Sequence, residues 1–154
     1  MSGRIEARLK ELGIALPPAA APAGSYVPYV ATGNLIYVSG QLPFEDGQIR
    51  HKGILGSDVS VADGAAAARL CALNLIAQVK SAVGDLDRVA RVVKLNGFVA
   101  SAANFTEQPK VMNGASDLMV EVFGDPGRHA RAAVGVAALP LGVAVEVDGV
   151  FEIF

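Results

Sequence analysis

Hydrophobic and polar positions alternate most clearly near the end of the chain. Val143, Val145 and Val147 are interleaved with Ala144, Glu146 and Asp148, the period-two pattern of a strand with two unlike faces. A second apolar run, 131–138, precedes it across Leu139-Pro140-Leu141-Gly142. The pattern predicts a terminal hairpin with strands at about 131–138 and 143–154. Arg131 opens the first strand and Glu146 sits among the valines of the second. If Ala138 faces Val143 across the turn, Arg131 stands opposite Val150, four positions beyond Glu146. At a rise of about 3.4 Å per residue the two charges are then ~14 Å apart. That is too far for an ion pair within one chain. They could face one pocket if a neighbouring subunit supplied one of them.

Further upstream the apolar period changes to 3.6. Val61, Ala65, Ala68, Ala72, Leu75, Val79 and Val83 fall on one stripe, with Leu73 and Ile76 beside it, which predicts a long helix over 60–83. Ser60-Val61-Ala62-Asp63 reads as its capping box, and Gly84-Asp85 ends it. A second helix, from Thr106 as cap to Gly124, carries Met112, Ala115, Met119, Val122 and Phe123 on its apolar face and Pro109 in its first turn. A short helix at the N-terminus, capped by Ser2 and ended by Gly13, aligns Ile5, Leu9 and Leu12. Pro17, Pro18 and Pro22 hold an extended connector after it. Strands are expected at 26–30 and 35–38 around Thr32-Gly33-Asn34, and at 91–100 with a bulge at Gly97. A short strand or loop follows the Glu45-Asp46-Gly47 turn. Helices following strands and packing on one sheet face give an α+β architecture. We expect residues 1–23 to form a helix and connector ahead of a single domain, 24–154.

Composition adds an assembly argument. Of the 154 residues 52% are hydrophobic and 18% charged, apolar enough to suggest buried subunit interfaces. No run of about 18 apolar residues suggests a membrane span. The charged, amphipathic N-terminus does not read as a secretory signal. One cysteine, Cys71, excludes an internal disulfide and fits a reducing cytoplasm. A net charge of −2 gives no basic footprint for nucleic acid.

Candidate chemistry is sparse. His51 and His129 lack ligand-like partners at helical or hairpin spacing, so no metal site is expected and both read as surface histidines. Cys71, mid-helix among Leu70 and Ala72, reads as a buried thiol rather than a nucleophile. The usual nucleotide, hydrolase and redox motifs do not occur. Tyr26 and Tyr29 could be core or interface aromatics, and Asn113 would ordinarily be a solvated polar residue. Arg131 and Glu146 stand out: a guanidinium can grip a carboxylate with two parallel hydrogen bonds, and a glutamate beside it can position or deprotonate water.

Five segments together resemble the RidA/YjgF family, formerly labelled L-PSP endoribonucleases. They are Gly24-Ser25-Tyr26-Val27, the run Asn34 to Pro43 (NLIYVSGQLP), Asn113, the run Arg131 to Pro140 (RAAVGVAALP), and Glu146. The resemblance covers 24–154. It implies a chorismate-mutase-like α+β fold, with a mixed sheet and two helices packed on one face, and a homotrimer with pockets between subunits. It also implies that Arg131 binds a substrate carboxylate and that Glu146 lies by a bound water. Tyr26, Ser39 and Gly40 would line the pocket, with Asn113 at its edge. Ala133 stands where members often carry a cysteine, and Met119 and Val120 stand where they often carry an aromatic pair.

The expected activity is hydrolysis of reactive 2-imino or enamine acids to 2-keto acids and ammonia, without metal or cofactor. Backbone groups at Gly40 and Ala133 would hold the imine. A non-catalytic trimer sensing small carboxylates is the alternative. An endoribonuclease is the weaker one, given the acidic balance and the lack of paired catalytic histidines.

Overall fold

A computed structural model of the chain describes residues 3–154. Five strands form one mixed sheet: β1 Tyr29–Thr32, β2 Leu35–Gln41, β5 Val89–Ala100, β6 Ala130–Val136 and β7 Val145–Ile153, in the order β1-β2-β7-β5-β6. A small hairpin, β3 Phe44–Glu45 with β4 Gln48–Ile49, stands apart from it. Helices α2 (Val61–Val83) and α3 (Gln108–Phe123) cover one face. This is the expected α+β arrangement, mixed sheet and helices on one side included.

The local chemistry accounts for most boundaries. Ser60 caps α2, its hydroxyl accepting from Asp63 N at 3.1 Å, and Gly84 ends it at φ +79°. Gly33, at φ +58°, makes the tight turn between β1 and β2, where Thr32 pairs with Leu35. α1 (Arg4–Glu11) buries Ile5 and Leu9 as its stripe requires. Its first turn is capped from a distance, the Asp87 carboxylate accepting from Arg4 N and Ile5 N at 2.9 Å each. Those two bonds hold the Asp87 carboxyl below its ordinary range. Ser2, the expected cap, lies outside the described residues. Thr106 does not cap α3; Glu107 occupies that position without a side-chain bond.

The expected terminal hairpin does not form. β6 pairs with β5 in parallel and β7 pairs with β5 antiparallel, so β5 lies between them. Parallel strands need a long crossover, and α3 supplies it between β5 and β6. The turn at Pro140–Gly142, with Leu141 at φ +60°, then carries the chain past the end of β5 to its other side. The predicted bulge at Gly97 is also displaced: register shifts in the β5–β7 ladder fall between Val89 and Arg91 and between Val92 and Lys94. Gly97 instead makes room for the Met112 side chain of α3, which a Cβ would overlap.

The core lies between sheet and helices. Ile36, Val38, Leu95, Val145, Val147 and Phe151 meet Leu75, Val79, Met112 and Met119 there, all buried. Each large side chain so buried contributes roughly 1.5–3 kcal/mol relative to exposure. Among the described residues no helix covers the opposite sheet face. There Val30, Tyr37 and Val134 remain 46–53% exposed, beside Lys94, Asn96 and Asp148. No helix among the described residues is long and apolar enough to cross a membrane.

Candidate functional site

Arg131 lies on edge strand β6, paired with the buried Leu95 of β5. Directly paired residues share a sheet face, so Arg131 points to the helix side. There its Nη1 donates to Asn113 Oδ1 at 2.8 Å and Ser116 Oγ at 3.2 Å, both on α3. Asn113 and Ser116 are three apart and so share a helix flank. Ser116 Oγ also lies 2.9 Å from His129 Nε2, and His129 Nδ1 lies 2.6 Å from Gly127 O. Burial, and then the Arg131 charge, hold the His129 pKa below its ordinary value against the pull of the Gly127 carbonyl. Burial and the Arg131 charge both favour the neutral ring. His129 is half-buried and bonded at both nitrogens, contrary to its reading as a surface residue.

Glu146 belongs to the other face. Val145 and Val147 on either side are fully buried under the helices, so alternation turns the carboxylate to the helix-free side. Burial, with the neighbouring Asp148 adding to it, raises its pKa. Gly40 lies against it: a Cβ there would stand 2.6 Å from Glu146 Oε2. The close approach comes from a bulge. Val38 pairs with Gly149 but Gln41 with Val147, so β2 carries one extra residue at Ser39-Gly40. Ser39 binds the preceding segment, its hydroxyl donating to Val27 O at 2.7 Å and its N–H to Pro28 O at 2.9 Å. Tyr26, 51% exposed, accepts at its hydroxyl from Ala23 N at 3.3 Å. Tyr26 and Gly40 line the same small cavity of about 40 Å³.

Seven residues were expected at the site, and the chain gathers them into two groups. Arg131 and Asn113 touch, and Ala133, two residues on along β6, packs on the core from the same side. Glu146, Gly40, Ser39 and Tyr26 cluster at the β2–β7 bulge. β5 separates the groups, and Arg131 and Glu146 project from opposite faces. The separation expected of these two charges survives, though the hairpin from which it was argued does not.

Several supporting residues escaped the sequence reading. Ser116 was detectable as the i+3 neighbour of Asn113. His129 had no such signal, because its partner Ser116 lies across a helix–strand connection. Beneath the bulge, Gln78 Nε2 donates to Ala20 O at 2.7 Å and Asn74 Nδ2 to Leu42 O and Phe44 O at 3.1 Å. Two buried polar side chains of α2 thus tie down the connector and the segment after β2. Their places within an apolar helix were the available signal. Cys71 is fully buried, as expected, with burial foremost raising its thiol pKa. Among the described residues no group of three or more His, Cys, Asp or Glu could hold a metal ion.

Comparison with known proteins fits this architecture. The family described as "YjgF/chorismate mutase-like, putative endoribonuclease" matches residues 6–151. Protein TCP17 of Trypanosoma cruzi is 58% identical over 153 residues, 99% of this chain and 96% of that protein. A crystal structure of a protein of unknown function from Agrobacterium tumefaciens, also 58% identical, superposes with a TM-score of 0.91 over 97% of this chain and 92% of its own. The 2-iminobutanoate/2-iminopropanoate deaminase of Dermatophagoides farinae is 30% identical over 140 residues, 91% of this chain and 94% of that protein. On these matches and its fold, the chain belongs to the YjgF/chorismate-mutase-like family, the RidA/YjgF proteins.

Proposed function

We propose that the protein hydrolyses 2-imino and enamine acids to 2-keto acids and ammonia, in pockets shared between subunits of a homotrimer. The observation that carries the reading is the division just described. Arg131 is held by α3 on one side of the sheet, and Glu146 has a raised pKa beside Gly40 on the other. One small substrate can meet both only if two chains contribute. The mite deaminase, similar over nearly its whole length, supplies the substrate class.

In this reading the Arg131 guanidinium takes the substrate carboxylate through two parallel hydrogen bonds. Backbone groups at Gly40 and at Ala133 hold the imine nitrogen and carbon in place, with Tyr26 and Ser39 forming the wall. Glu146 accepts a proton from water as the water oxygen bonds to the imine carbon. It passes that proton to the nitrogen, which takes the C=N π pair, giving a carbinolamine. It then takes the hydroxyl proton and delivers it to the nitrogen as C=O forms and the C–N bond breaks, leaving a keto acid and ammonia. A carboxyl with a raised pKa suits both steps. Imine hydrolysis is intrinsically easy, so orientation supplies much of the gain. A reducing cytoplasm suits the single buried thiol, and is the compartment we assign.

The test couples an amino-acid oxidase, which generates imines from a panel of amino acids, to detection of ammonia or of unreacted imine. Faster imine loss with the protein present is the expected result. Binding of keto acids without acceleration on any imine would replace the enzyme by a carboxylate sensor.

A further inference from the structure

The geometry points to Ser116 and His129 as positioning residues that set the orientation of the Arg131 guanidinium and leave one edge of it for the ligand carboxylate. This rests on the carboxylate-binding role proposed for Arg131.

The direction of each hydrogen bond follows from its ends. A backbone carbonyl only accepts, so at Gly127 the donor is His129 Nδ1–H. In a neutral ring the other nitrogen then only accepts, so the Ser116 hydroxyl donates to Nε2. Its hydrogen so committed, Ser116 Oγ presents lone pairs to Arg131, and Nη1 donates to it. Asn113 Oδ1 takes the second hydrogen of Nη1. The chain runs Arg131 to Ser116 to His129 to Gly127 without a clash of donors.

The consequence concerns the three hydrogens left on the guanidinium. Both on Nη1 are used, and among the described residues Nε and Nη2 make no hydrogen bond. The Nε–H and the nearer Nη2–H are parallel and lie on one edge, a fork matched to a carboxylate. The ligand is therefore received side-on, at the Nε/Nη2 edge, and the end-on Nη1/Nη2 approach is blocked. An arginine left loose would lose rotamer freedom when it bound; here the loss falls on folding, which favours affinity. Lysine at 131 could not reproduce this division of donors.

The experiment measures affinity for 2-oxobutanoate and for its primary amide, which keeps the shape and loses the anion. Ser116→Ala and His129→Phe should each weaken 2-oxobutanoate binding by roughly three- to thirtyfold. Ser116→Thr, which keeps the hydroxyl, should stay within about twofold of wild type. The amide should bind wild type and variants alike, which general damage to the pocket would not allow. Nitrogen-15 NMR should show His129 protonated at Nδ1 and bare at Nε2 at neutral pH. Wild-type affinity in Ser116→Ala, or parallel losses for acid and amide, would overturn the positioning role while leaving Arg131 as the carboxylate ligand. If His129→Phe does not fold, the Ser116 pair decides. Absence of 2-oxobutanoate binding by wild type contradicts the carboxylate site and the positioning role together.

Discussion

Glu146 is held on the sheet in a setting that disfavours its anion, since burial and Asp148 both raise its pKa. A carboxyl whose folded pKa lies above its unfolded one favours folding below the unfolded value. That contribution is lost as pH rises through the folded value. Glu146→Gln should therefore match or exceed wild-type thermal stability at neutral pH. The gap should close on acidification below about pH 4.3, the ordinary glutamate range. Deamination should move the other way. Loss of a general base costs on the order of 10²–10⁴-fold, and the low end is expected for so facile a reaction, with keto-acid affinity little changed. Wild-type rates in Glu146→Gln would remove the glutamate from the mechanism. Arg131 poses the complementary case. Arg131→Lys keeps the charge and loses the fork, so it should lose 2-oxobutanoate binding as fully as Arg131→Ala, and calorimetric titration of folded variants checks this.

At the scale of elements, the β2 bulge brings backbone and carboxylate together. Gly40→Ala sets a methyl 2.6 Å from Glu146 Oε2, too close for contact, so the carboxylate must move. The deamination rate should fall by about tenfold or more from misplacement alone, with affinity for the keto acid largely kept; equal loss of both would mean the bulge is only structural. Much of this scaffold was legible. Ser60, Asp63 and Gly84 marked the ends of α2 through capping chemistry, and the valines of β7 marked its two faces through alternation. Strand partners were not legible. An apolar run such as 131–138 states that a strand is buried and does not name its neighbour, so a short Pro-Gly turn read as a hairpin. The Ser39-Gly40 bulge was hidden for the same reason, because an extra residue shows only against the register of β7. Arg131, Glu146 and their wall were singled out by charge within apolar strands and by family resemblance. Ser116 stood within reach as the i+3 neighbour of Asn113, but its contact with His129 depends on the α3–β6 crossover, which no local spacing encodes.

For the whole molecule, two observations converge on assembly. The helix-free sheet face leaves Val30, Tyr37 and Val134 about half exposed, and exposed apolar surface of this kind is commonly covered by association. The catalytic groups proposed here also point away from one another within a chain. Light scattering at micromolar concentration should report about three chains per particle. The most direct test of the shared pocket mixes two inactive proteins. The Arg131→Ala and Glu146→Gln proteins, unfolded together at equal amounts and refolded, should form hybrid assemblies. A pocket taking its arginine from one chain and its glutamate from the next is intact with a chance of one half for each, so about one quarter of the wild-type rate should return. Refolding each variant alone should recover none of it. If the mixture stays as inactive as its parents while refolded wild type regains its rate, both residues act within a single chain, and the shared site is contradicted.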